Sequence, residues 1–373
     1  MTVPVAREGL DVSERRQRLR SLLASALPGS GFVAVWLATG ALLVVAEIIA
    51  PETLSSASLS SAVLPFMTFL AVAALGEMLV IMNGGIDLSI PGVIVLVANV
   101  VVGASGGNDS GLVGAIVICL ALAAAVGLVN GLLVSVVGLN PLIVTLAVGQ
   151  IVTGITVGYA RNLANESAVP PGLSSWAISQ FLGVISIFWV GILLAVALAL
   201  FLRYTTAGRR FQLVGANRRA AWTAGIHVRP YGIFAYVGAA MLYGVAGILL
   251  AGFIRSPSID LGDPYLLGPI AAVVIGGASL AGGLASATST WVAAFALTLL
   301  TQMLRVLGLS TAWQYMVYGA AIAAGMVISG DRIVGVLGGL LQRQRVRAWL
   351  GADGSNADDL DEERGDAFQP AST

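Results

Sequence analysis

Apolar residues run along this chain in long blocks, separated by short polar stretches. A bilayer core about 30 Å thick takes roughly 20 apolar residues as a helix. Runs of that kind occupy 31–50, 62–82, 90–106, 111–137, 141–160, 181–202, 231–253, 266–283, 286–308 and 313–333. The pattern predicts an all-α fold, a polytopic transmembrane bundle of about ten spans. The blocks 90–106 and 266–283 are rich in glycine, so each is read as either a crossing or a broken or re-entrant helix. Irregular backbone persists in a membrane only where protein or a water-filled cavity satisfies its polar groups. As one helix, 62–106 would be about 67 Å long, so it must contain a reversal. Three regions follow: a segment 1–30, a transmembrane domain 31–335 carrying a cytoplasmic loop 203–230, and a polar tail 336–373.

Composition strengthens the membrane reading. Charged residues make up 10% of the 373 and hydrophobic residues 57%, with a mean hydropathy of +0.92; soluble domains carry about 25% charge. All 19 basic residues are arginine, and His227 and Cys119 are the single histidine and cysteine. A phosphate-binding P-loop needs a lysine, an HExxH zinc site two histidines, and an internal disulfide two cysteines. The chain is therefore expected to be no enzyme and to hold no cofactor of its own.

The net charge of zero hides a segregation. Residues 1–30 hold five Arg and three acids, residues 203–229 six Arg and no acid, and residues 331–350 four Arg and one acid. Arg-rich loops stay in the cytoplasm. Ten spans put all three segments on that side, since six lie between the first two and four between the second and third. Both termini are then cytoplasmic, and 51–61, 107–110, 161–180 and 254–265 face outward with Glu52, Asp109, Glu166, Asp260 and Asp263. No cleavable signal peptide is evident, because the first apolar run begins at Gly31 and is already long enough to span. Ahead of it, Leu19, Leu22, Leu23, Ala26 and Leu27 at helical spacing beside four arginines predict an interfacial amphipathic helix. Asp353 to Asp366 reads as a solvated acidic tail.

Polar groups inside the blocks mark candidate function, since a charged side chain at a helix centre costs about 2.5–3.5 kcal/mol on insertion scales. Glu47 lies near a span end and can snorkel. Glu77 does not, and is read as either a hydrogen-bonded structural carboxyl or a residue of a translocation pathway. Asn83-Gly84-Gly85-Ile86-Asp87-Leu88-Ser89-Ile90-Pro91-Gly92 is the most polar and flexible stretch in the hydrophobic region. Its glycines break a helix, Ser89 and Pro91 suit the start of another, and Asp87 either caps that start or lines a hydrophilic passage. Asn130-Gly131 and Asn140-Pro141 are expected to flank a second reversal, followed by Thr145 and Gln150 along the next span. Cys119 reads as packing, and His227 as a surface residue. An internal echo joins Gly84-Gly85-Ile86-Asp87-Leu88-Ser89 to Gly276-Gly277-Ala278-Ser279-Leu280-Ala281, and chance composition competes with a true repeat as its origin.

The basic loop gives the sharpest local pattern. A polar turn at Gly215 to Asn217 precedes a predicted short helix with an Asn cap before it and Gly225 after it. Held between two spans, such a helix is a lever on which a partner can push; the competing reading is a loop that fixes topology and touches anionic lipid.

The chain resembles the permease subunits of ribose-type ABC sugar importers, within the wider group that includes branched-chain amino-acid permeases. The resemblance is carried by Gly84 to Ser89, by Asn130-Gly131 with Ile143-Val144-Thr145-Leu146, by Gly215-x-Asn217-x-x-Ala220-Ala221-x-x-x-Gly225-Ile226, and by Ile270 to Gly277 with Ser279 to Gly283. It covers about 62–330. It implies an inner-membrane, binding-protein-dependent permease that moves a monosaccharide or similar polyol inward. The implied partners are a second permease copy or paralogue, cytoplasmic ABC ATPase subunits that carry the ATP and Mg, an external solute-binding protein, and lipid, with no nucleic acid. Gly215, Asn217, Ala220, Ala221, Gly225 and Ile226 would couple to the ATPase, and Glu77, Asn83, Asp87, Ser89, Thr145, Gln150 and Ser279 would border the pathway. Two alternatives stay open: an ion-coupled secondary transporter using Glu77 or Asp87, and the same ABC machine carrying branched-chain amino acids or nucleosides.

Overall fold

Helices follow the apolar blocks. The computed structural model describes residues 30–162 and 168–328. The amphipathic segment before Ser30, Glu166, the end of the last predicted span and the acidic tail lie outside the described residues. In chain order the helices are α1 (Ser30–Ile49), α2 (Ser56–Met82), α3 (Ile90–Ser105), α4 (Asp109–Val137), α5 (Pro141–Asn162), α6 (Pro171–Ile178), α7 (Ser186–Tyr204), α8 (Thr206–Ala216), α9 (Arg218–Thr223), α10 (Val228–Ile254), α11 (Gly268–Ile275), α12 (Ala287–Val306) and α13 (Thr311–Ile328). Among the described residues, α2, α4, α5, α7, α10 and α12 are long and apolar enough to cross a membrane. The protein is an all-α polytopic membrane bundle.

Three local expectations are corrected, and one open alternative is decided. The block 181–202 does not begin as helix. Gln180–Phe181 and Val184–Ile185 pair as a two-stranded antiparallel hairpin, and α7 starts at Ser186. Of the two readings of the block 266–283, the structure takes the broken helix: only Gly268–Ile275 is helical, as α11, about 12 Å long and too short to cross. Asn130-Gly131 flanks no reversal: α4 continues through it as helix to Val137, and the chain turns at Gly138 to Asn140. The basic loop is helical over most of its length, as α8 and α9.

The burial pattern suits lipid rather than water. On α4, α5 and α7 large apolar side chains face outward, among them Val113, Ile143 and Leu193, each exposed by 66% or more. Helices gain little from burying such groups against one another when the solvent is hydrocarbon, so association rests on close backbone contact through small residues. The central contact is α4 against α10. A Cβ on Gly127 would stand 2.5 Å from the carbonyl oxygen of Tyr236, and one on Gly131 2.9 Å from Cα of Ile233. Ala123, Gly127 and Gly131 recur every four residues and form the stripe that permits this approach. Cys119, on the same helix, faces α3: it is fully buried, with its thiol 3.5 Å from the Val97 carbonyl.

Gly127→Ala should lower the thermal midpoint of the purified protein in detergent, because backbone is what stands in the way; overpacking of this kind costs about 1–3 kcal/mol. Gly154→Ala, where nothing lies within 4 Å, should leave the midpoint unchanged or slightly raised. Equal midpoints for the two variants would refute the close-contact account.

Candidate functional site

Two breaks interrupt the helices inside the bundle, at 83–89 between α2 and α3 and at 276–286 between α11 and α12. A helix end leaves four carbonyls without intrahelical partners, and each of the last four in α2 is met. Leu79 O accepts from Asn83 Nδ2 at 3.3 Å, Val80 O from Asn83 N and Gly85 N at 3.0 and 3.1 Å, and Ile81 O from Gly84 N at 2.8 Å. Met82 O accepts from Gly283 N at 3.1 Å, in the other break. The two glycine-rich echo segments therefore meet in space. A Cβ on Gly84 would stand 3.3 Å from the carbonyl oxygen of Ala281, and one on Gly282 3.2 Å from Gly84 N.

The amides leading into α3 are met by side chains. Asp87 N–H donates to Glu77 Oε1 at 3.2 Å, Leu88 N–H to Thr145 Oγ1 at 2.9 Å, and Ser89 N–H to Asp87 Oδ1 at 2.8 Å. The Ser89 hydroxyl donates to the same Asp87 oxygen at 2.5 Å and accepts from Asn130 Nδ2 at 3.0 Å; Tyr243 OH donates to Glu77 Oε2 at 2.9 Å. Glu77, Asp87, Ser89, Asn130 and Thr145 are completely buried. Leaving a donor or acceptor unmet in such a site costs about 1–3 kcal/mol, which gives the carboxylates a structural task. Asp87 Oδ2, Asn130 Oδ1 and Tyr236 OH are buried without a hydrogen-bond partner.

Of the seven residues read as bordering a pathway, Glu77, Asp87, Ser89 and Thr145 thus come together in one closed network. Asn83 and Ser279 sit half-buried at the junction of the breaks, where Ser279 Oγ accepts from Ala281 N at 3.2 Å. Gln150 stands apart, exposed on α5, and lines a cleft of about 410 Å³. Asn130 and Tyr243 were not legible as network members. The available signal was a phenol between Leu242 and Gly244 at the middle of a span, a polar handle that needs a partner once buried.

The basic segment folds as its caps predict. Asn217 Oδ1 accepts from Ala220 N at 2.9 Å and starts α9. Past its end, Gly225 adopts φ +78° and donates to Trp222 O at 3.0 Å, while Ile226 N donates to Ala221 O at 3.0 Å. A glycine cap of this form satisfies the last carbonyls of a helix. Asn217, Ala220 and Gly225 are exposed, Gly215 and Ile226 half-buried, and Ala221 buried. His227 is exposed. Gly215 packs directly on the junction of the breaks: a Cβ there would overlap Met82 O and stand 3.3 Å from Gly283 O.

Tyr243→Phe should destabilise the protein by about 1–3 kcal/mol, since it leaves a buried carboxylate oxygen without its donor. Combining it with Glu77→Ala should cost less than the two single changes added together, because both remove the same bond. Additive shifts in the unfolding midpoint would show that the pair does not interact.

Comparison with known proteins agrees with this architecture. Residues 59–326 match the family model described as "Branched-chain amino acid transport system / permease component". A probable ABC transporter permease protein of Sinorhizobium fredii is 36% identical over 268 residues, covering 69% of this chain and 77% of that protein. The ribose import permease protein of Escherichia coli (strain K12) is 32% identical over 269 residues, 70% and 82% of the two chains. The L-arabinose ABC transporter permease protein of Azospirillum brasilense is 30% identical over 315 residues, 81% and 88%. No solved structure matches. The family match spans well over half of the chain and includes both breaks, the buried network and the capped α9 helix, so the protein belongs to the ABC-importer permease family described as the branched-chain amino acid transport system permease component.

Proposed function

We propose that the chain moves a monosaccharide or similar polyol inward across a bacterial inner membrane, as the non-hydrolysing subunit of an ABC importer. The family implies association with ATPase and solute-binding partners. In this reading both termini are cytoplasmic, a second copy or a paralogue completes the pathway, and ATP and Mg stay on the ATPase. The relatives named for ribose and L-arabinose favour sugar over the amino acid of the family description.

The observation that carries the mechanism is the seat of Gly215. The ATPase would grip the exposed face of α9, where Asn217, Ala220 and Gly225 lie, with Ala221 and Ile226 fixing the helix beneath. Rigid caps transmit a push without bending. Gly215, at the head of this lever, touches the one place where both helix breaks meet. A displacement of α9 then arrives at Met82 and Gly283, where the backbone is irregular and can be repacked with little loss of helix. The Glu77, Asp87, Ser89 and Thr145 network would hold one break in register, with Asn83 and Ser279 at its edge and Gln150 facing the solute. Glu77 and Asp87 on this account position backbone and carry no transported ion.

Reconstitution tests the energy source. Uptake in proteoliposomes should require the ATPase, the binding protein and ATP, and should survive collapse of the proton gradient; uptake driven by that gradient without the ATPase would overturn the proposal. Gly225→Val should reduce transport per ATP hydrolysed by about tenfold or more while leaving assembly intact. A β-branched residue is strained at φ +78° by at least about 1–2 kcal/mol and loosens the cap. Normal transport by Gly225→Val would remove α9 from the coupling role.

A further inference from the structure

The cleft lined by Gln150 has a chemistry of its own. Leu146, Gln150 and Thr153 recur at helical spacing on α5 and form one wall. Asp263 and Leu266 reach it from the segment that joins α10 to α11, and Tyr315 reaches it from α13. That segment is pinned on both sides of Asp263. Gly262 lies so close to Pro91, at the start of α3, that a Cβ would stand 2.5 Å from the Pro91 carbonyl oxygen, and Tyr265 is buried with 6% exposure.

Gln150, Asp263 and Tyr315 are exposed. The charge pattern puts 254–265 on the outer side, so Asp263 stands at the outward mouth of the cleft, where water reaches its carboxylate and an entering solute meets it first. The volume of about 410 Å³ falls within the roughly 300–1,000 Å³ typical of small-molecule sites. Asp263 is the one charged side chain among the described lining residues. The start of α3, which would otherwise favour an anion, is already met by Asp87 through Ser89 N.

We infer that this cleft is a second selectivity filter, which recognises a neutral, polyhydroxylated solute after the external protein has released it. Asp263 accepts from two adjacent hydroxyls, the Gln150 amide both donates and accepts, and the ring of Tyr315 covers a C–H face of the sugar. A solute bearing a carboxylate meets Asp263 without a compensating cation and is rejected. This inference rests on the sugar-importer reading above and adds to it where in the chain the choice is made.

The test uses the complete importer in proteoliposomes, with its ATPase and binding protein. Because Cys119 is buried, introduced thiols can be labelled selectively. Gln150→Cys, Thr153→Cys and Asp263→Cys should react with a charged methanethiosulfonate at least about tenfold faster than Ile151→Cys on the apolar outer face. D-ribose or L-arabinose at millimolar concentration should slow labelling of Thr153→Cys, which keeps both Asp263 and Gln150, by about tenfold, and the anion D-gluconate should not. Asp263→Asn should lower ATP-driven uptake of these sugars by about tenfold or more, with sugar binding by the external protein unchanged. Absence of labelling, labelling of Thr153→Cys that the sugars do not slow, protection by D-gluconate, or normal uptake by Asp263→Asn would each overturn the filter. If the unmodified importer moves no neutral sugar with ATP, the sugar-importer reading itself fails; if it does and the cleft results are negative, only the filter fails.

Discussion

Hydrocarbon offers no hydrogen bonds, and every irregular stretch of backbone in this bundle must find its partners inside the protein. The break at 83–89 is possible because Asn83, Glu77, Thr145, Asp87 and the backbone of Gly283 meet the amides and carbonyls that the helix ends release. Two acidic residues deep in an apolar chain are explained by this demand. Glu77 is a backbone acceptor for an amide ten residues along the chain, held by a phenol from α10. The same demand ties α2, α4, α5 and α10 together around the entry to α3, because the side chains that serve this break come from all four.

Function follows from the cost of these breaks. A continuous helix transmits force but leaves no opening between its turns, whereas an unsatisfied break would not survive in lipid. A break whose partners lie on neighbouring helices can change shape when those helices move. The junction of Met82, Gly84 and Gly283 joins the two halves of the chain at such a point, and Gly215 brings the basic helices onto it. On the importer reading proposed above, the nucleotide chemistry lies in another subunit, in keeping with a chain that has no lysine.

Much of the fold was legible because apolar length is a strong signal. The blocks at 62–82, 90–106, 111–137, 141–160, 231–253 and 286–308 became helices with boundaries shifted by a few residues. The caps of α9 were readable too, since Asn217 and Gly225 act within their own turn. The block 266–283 was harder: its composition is apolar, but Gly276, Gly277, Gly282 and Gly283 let the chain leave the helix after Ile275. Thr145 was visible as a polar residue on a span, yet nothing within α5 indicates that it serves Leu88, 57 residues earlier in the chain.

The amino-acid sequence by itself determined that the chain is a multi-pass helical membrane protein, where most of its long helices lie, where its two glycine-rich interruptions fall and how its basic helix is capped. Those properties depend on local composition and on neighbours within a turn or two. Only the tertiary structure decided that Glu77 answers Asp87 and Tyr243, that the two interruptions touch, that Gly215 sits on their contact, and that Asp263 shares a cleft with Gln150. Each of these joins residues far apart in the chain, and the close approach depends on glycine stripes such as Gly127 and Gly131, whose effect appears only when two helices are brought together.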